Sequence, residues 1–208
     1  MTDLLFPASL DRDALAKLPR DLVGYGRTPP DVTWPDGSKV AVNIVINYEE
    51  GAEYSLVDGD PCNDSWGEYT YLIPETVRDL GTEGHFEYGS RVGIWRLARL
   101  FDDAGVAVSV QACAQALERN LEVAAWLGAS DHEVIGHGWR WTEDSRRTRD
   151  EERADLQRAI ESVQRTTGRR IEAWVVRSFP SVHTRELLVE AGGFLYDSDS
   201  VNDELPYW

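Results

Sequence analysis

A chain of 208 residues is long enough for one domain with a sizeable core, and 42% apolar against 28% charged residues excludes the composition of a disordered chain. With 37 acidic and 21 basic residues the formal charge is −16, which repels phosphate backbones and anionic headgroups. Neither nucleic acid nor a membrane is therefore expected as a partner, whereas a small neutral substrate is compatible.

The two cysteines, Cys62 and Cys113, form no disulfide framework and point to a reducing compartment, the cytoplasm. Asp3, Asp11, Arg12 and Asp13 interrupt the apolar residues of the N-terminus, so no export signal is expected. No apolar run approaches the roughly 18 residues of a membrane span.

Pro7, Pro19, Pro29, Pro30 and Pro35 prevent regular structure early in the chain, so residues 1–38 are read as an arm and 39–208 as one domain. The run Val40, Ala41, Val42, Ile44, Val45, Ile46 predicts a strand buried on both faces, ending at Asn47. From Ala52 to Tyr88 the glycines and prolines predict a long loop or cover. Ser90 then resembles a helix cap, with Ile94, Leu97, Ala98 and Phe101 on one apolar face and Gly105 closing the helix.

Strands are predicted at Val106–Val110, Val134–Ile135, Trp174–Val176 and Phe194–Tyr196. Between them lie a helical pair over Ala114–Leu127, a helix over Arg149–Thr166 stopped by Gly168, and a helix over Thr184–Glu190. This alternation implies parallel pairing through right-handed crossovers, hence an α/β sheet or barrel.

In such folds the site forms at the carboxyl ends of the strands. There the sequence places Glu49 and Glu50, then His137 and Arg140, then Arg177, then Asp197 and Asp199. Adjacent residues of an extended segment face opposite sides, so one of Glu49 and Glu50 reaches the pocket while the other caps or pairs. Trp139 and Trp141 either stack on a flat substrate or pack as core, while Trp95 and Trp174 read as core.

Four ordered segments carry a family resemblance: NYEEG (47–51), EYGSRVGIWRL (87–97), EVIGHGWRW (133–141), and GGFLYDSDS with ELPYW (192–208). Together they resemble the polysaccharide deacetylase (NodB-homology) superfamily, in its allantoinase-like, metal-independent branch. The resemblance implies an irregular (β/α) barrel, here incomplete at its C-terminal end, where a late histidine motif often supplies a general acid. It further implies hydrolysis of non-peptide C–N bonds and a homo-oligomer such as a tetramer.

Metal-dependent members carry two aspartates where this chain has Glu49 and Glu50, and two histidines four residues apart where it has His137 and Trp141. A catalytic zinc takes about three protein ligands, and an indole nitrogen has no free lone pair. A metal-free site is expected, with no cofactor; the zinc alternative needs Glu49, Asp199, His85, His132 or His183 to complete the set.

On the metal-free reading Glu49 is the general base, His137 orients the water or protonates the departing nitrogen, and Arg177 braces Glu49 or the oxyanion. Glu50, Trp139, Trp141, Asp197 and Asp199 are candidate substrate contacts, the two aspartates also being candidates to orient His137 or Arg177. The segment WVVRSFPSVHTR around Arg177 departs from the allantoinase pattern, which leaves the substrate open. A metal-dependent deacetylase of N-acetylated carbohydrate, and a truncated homologue that binds without turnover, are the alternatives.

Overall fold

A computed structural model describes residues 20–65, 73–74 and 76–207 of the protein. Five strands pair in parallel in chain order: β1 (Val45–Tyr48), β2 (Ser109–Ala112), β3 (Glu133–Gly136), β4 (Ala173–Trp174) and β5 (Tyr196–Asp197). Helices α1 (Leu80–Tyr88) and α2 (Ile94–Ala104) cross from β1 to β2, and α3 (Ala114–Arg119) and α4 (Leu121–Ala129) from β2 to β3. Helix α5 (Arg149–Thr167) leads to β4 and α6 (Thr184–Ala191) to β5. This is the α/β, (β/α)-barrel arrangement that the alternation predicts. Among the described residues β1 and β5 are paired on one side only.

The first strand corrects the sequence reading. It starts at Val45, not Val40, and its residues alternate, with Ile46 and Tyr48 buried and Val45 44% exposed. Val40 and Val42 are 72% and 82% exposed, in a stretch from 20 to 44 that has turns but neither helix nor strand. A continuous apolar run cannot by itself distinguish a doubly covered strand from a strand with a lead-in segment. The part of the expected arm before residue 20 lies outside the described residues.

The predicted loop over Ala52–Tyr88 holds helix α1. Asp79 caps it, its carboxylate accepting from the Gly81 and Thr82 amides at 3.0 Å each. Gly81 and Gly84 weaken the helical signal, which is why periodicity misses it. Ser90 is not a cap: α1 passes through a wide turn at Gly89–Gly93, with i→i+5 bonding, straight into α2.

Helix α5 has the termini its sequence promises. Thr148 and Glu151 form a reciprocal capping box, and Gly168 stops the helix at φ 73°. Its buried face, Leu156, Ala159 and Val163, packs on α3 and α4. Among the described residues no helix is long and apolar enough to cross a membrane.

Where α4 meets α5, a Cβ on Gly128 would stand 2.3 Å from the Thr167 carbonyl oxygen. In an open helix interior Gly→Ala gains roughly 1 kcal/mol; here backbone must move instead. Gly128→Ala is expected to lower stability by about 1–3 kcal/mol, read as a drop in the urea midpoint at unchanged slope.

Candidate active site

The carboxyl ends of β1 to β4 converge, and each contributes a group. Glu49 follows β1, held in a turn where its carbonyl accepts the Ala52 amide at 2.8 Å and Gly51 takes φ 89°. His137 follows β3, its amide donating to the Ala112 carbonyl at 3.1 Å. The next two residues are pinned to the start of α3, the Ala114 amide donating to Gly138 O and the Gln115 amide to Trp139 O. These bonds satisfy helix-terminal donors and hold the His137 loop in one place.

His137 and Glu49 meet with Nε2 to Oε1 at 3.1 Å, both side chains nearly fully buried. The other ring nitrogen, Nδ1, faces the Val175 carbonyl at 3.0 Å. A carbonyl only accepts, so Nδ1 carries a hydrogen, and a neutral ring then presents a lone pair at Nε2. A carboxylate also only accepts. The 3.1 Å contact places Nε2 and Oε1 at hydrogen-bond distance, close enough to exchange a proton.

Glu50 lies beside this pair, its Oε2 accepting the Glu49 amide at 2.9 Å. Burial pushes its carboxyl up to about 7, its hydrogen bonds to the Glu50 and Glu49 amides oppose the shift, and the charges of Glu49 and Glu53 add to it. Its seat is cut by a glycine: a Cβ on Gly89 would stand 2.2 Å from Glu50 Oε1. Cys113, buried at the end of β2, donates its thiol to the His137 carbonyl at 3.0 Å, and burial raises its ionisation well above the thiol range.

Arg177 does not brace Glu49. Its guanidinium forms a two-point ion pair with Asp64, at 2.6 and 3.0 Å, and donates to the Trp141 carbonyl at 2.8 Å. It also stacks 3.8 Å above the Trp141 ring, with Tyr54 on another side at 5.5 Å. Asp64, which the sequence reading misses, captures the arginine. The result is a buried clamp joining the loops after β1, β3 and β4. Ser178, next in the chain, has φ 62°, the only non-glycine residue at positive φ among the described residues.

The aspartates and tryptophans are likewise reassigned. The Val175 carbonyl, not Asp197 or Asp199, orients His137. Asp199 accepts the Val176 amide at 2.8 Å, and burial raises its carboxyl to about 6. Asp197 pairs with Arg185. The Trp139 ring lies under Arg158 at 3.1 Å, with its Nε1 donating to Glu118, so it packs toward α5 and is not placed to stack on a substrate. One Trp141 face is covered by Arg177, and its edge meets Phe86 with centroids 6.2 Å apart. Trp174 is core, and Trp208 lies outside the described residues.

Among the described residues no group of three His, Cys, Asp or Glu side chains is placed to hold a metal ion. His132 precedes β3 while His137 follows it, about 16 Å away along an extended strand.

No protein-family model matches the chain. A protein of Schizosaccharomyces pombe that carries the name polysaccharide deacetylase is 33% identical over 200 residues, 91% of this chain and 62% of that one. The crystal structure of a PuuE allantoinase superposes with a TM-score of 0.85 at 36% identity. A Pseudomonas aeruginosa structure named as a polysaccharide deacetylase gives 0.84 at 40%.

The chain is similar to polysaccharide deacetylases over nine tenths of its own length. It spans less than two thirds of these relatives, 62% of the yeast protein and 64% of each of the two solved chains, which in turn cover 92% of it. Glu49 holds the imidazole, while Glu50 is half-buried against Gly89.

Because Glu50 titrates near 7 in the fold and near its ordinary 4.5 when unfolded, the unfolded chain releases this proton first as pH rises. Its contribution to stability is present below about pH 4.5 and is lost by about pH 7. Asp144 (about 7) and Asp199 (about 6) act in the same direction. Glu50→Gln is therefore expected to reduce, not abolish, the fall in urea midpoint between pH 5 and 8. At pH 8 it should be the more stable protein, by at most about 3 kcal/mol.

Proposed function

We propose that the protein hydrolyses a non-peptide C–N bond, opening a cyclic ureide such as allantoin or a related hydantoin without a metal. The observation that carries this reading is the 3.1 Å contact of His137 Nε2 with Glu49 Oε1. With a proton on Nε2, Glu49 is free as an acceptor for a proton of the attacking water. The water oxygen bonds to the ring carbonyl carbon, the C–N bond breaks, and the imidazole returns a proton to the departing nitrogen.

The leaving group favours this chemistry. A simple N-acetyl amide expels a basic amine, and its oxyanion needs strong stabilisation. A hydantoin nitrogen leaves with its charge delocalised into a second carbonyl and demands less. The likeness to a PuuE allantoinase supports the reading. Arg177 contributes by holding the loops together rather than by touching the substrate.

A second reading, metal-dependent deacetylation of an N-acetylated carbohydrate, is favoured by the names of the yeast and Pseudomonas relatives. One experiment separates the two. Purified protein is assayed against hydantoins, allantoin and N-acetylated sugars, with and without a chelator. Ureide hydrolysis that resists the chelator and falls at least 100-fold in Glu49→Gln is expected. Chelator-sensitive release of acetate, restored by zinc, would overturn the proposal, as would a Glu49→Gln variant of undiminished rate.

A further inference from the structure

A cleft of about 400 Å³ opens beside Glu50, within the range of small-ligand sites. Its lining includes Phe86 as an apolar wall and Ser90, whose hydroxyl is fixed by Asn120 Nδ2 at 3.1 Å and by the Tyr48 hydroxyl at 3.0 Å.

Three arginines line it, and each is already matched within the lining: Arg78 to Glu83, Arg91 to Glu87, Arg119 to Asp58. Two carboxyl groups of the lining, Glu50 and Glu53, form no ion pair with any described residue. Glu50 gives one oxygen to the Glu49 amide and Glu53 one to the Gly51 amide. Each has acceptor capacity left over. Gly89 adds a shape argument, since any side chain there would evict the Glu50 carboxyl from its place at the cleft.

We propose that this cleft is a binding site for a small planar group that presents N–H donors, neutral or cationic, to Glu50 and Glu53. An anion is disfavoured because the lining has no unmatched arginine. Phe86 supplies the flat apolar contact that a ring or a guanidinium plane uses. The site rests on the ureide reading only in that a cyclic ureide is one such ligand.

The test is calorimetric titration of the full chain with hydantoin, methylguanidinium and acetate, with turnover followed in the same samples. Hydantoin and methylguanidinium are expected to bind and acetate not. At pH 8, where the Glu50 carboxyl is ionised, Glu50→Gln should raise the Kd at least 10-fold, since a charge-assisted bond is replaced by a neutral one. Gly89→Ala, whose helical backbone accepts alanine, should do the same without changing any charge.

Wild-type-like affinity in both variants overturns the site. So does acetate binding as well as the others, or no probe binding at millimolar concentration. If the variants lose binding while the wild type hydrolyses none of the ureides, the site stands and the hydrolytic reading fails. If ureide hydrolysis proceeds unchanged in both variants, the reading stands and the site fails. A near-ultraviolet dichroism spectrum identifies an unfolded Gly89→Ala, in which case Glu50→Gln decides.

Discussion

One contact organises this molecule, His137 Nε2 against Glu49 Oε1 at 3.1 Å. Everything around the pair fixes that geometry. The parallel register places the carboxyl ends of β1 and β3, which flank β2, at the same end of the sheet. The Val175 carbonyl on the next strand sets the tautomer, and the amides at the start of α3 hold the loop behind the imidazole. A one-residue slip of β3 would turn His137 to the other face, so the pair depends on register more than on any side-chain bond.

The same end of the sheet gathers carboxyl groups into low-dielectric surroundings, and the fold compensates each differently. Asp64 is matched by Arg177 in a two-point pair in which both side chains are almost fully buried. Such a pair gains little net stability but is costly to break from one side, so it acts as a geometric lock on three loops. Glu49 is compensated by its contact with His137. Glu50 and Asp199 are compensated by titrating higher, at about 7 and about 6.

Much of this was legible in the sequence, for identifiable reasons. Helix α5 carries its own punctuation in Thr148, Glu151 and Gly168, and its boundary is accurate to one residue. Glu49 and His137 follow short apolar runs, so strand-end logic alone places them together. What was not legible is non-local. Arg177 and Asp64 are 113 positions apart, and the loop holding Asp64 has no period to fix where it folds back. The role given to Asp197 and Asp199 goes to a backbone carbonyl, which no residue type announces. Trp139 and Trp141, two apart in the chain, end under different arginines because residues 139–141 form a bend in which strand alternation does not hold.

The wide turn at Gly89–Gly93 connects these observations. An uninterrupted α-helix from Leu80 to Ala104 would carry one fixed angular phase along its length, and the extra residue per turn shifts that phase. The shift falls where Gly89 meets the Glu50 carboxyl and Ser90 meets Tyr48. The segment EYGSR thus matters less as a list of side chains than as a change of helical pitch, with glycine at the point of closest approach. The adjacent glutamates of NYEEG are separated in role by that neighbour: one turns to His137, and the other is seated where only a residue without a Cβ leaves room.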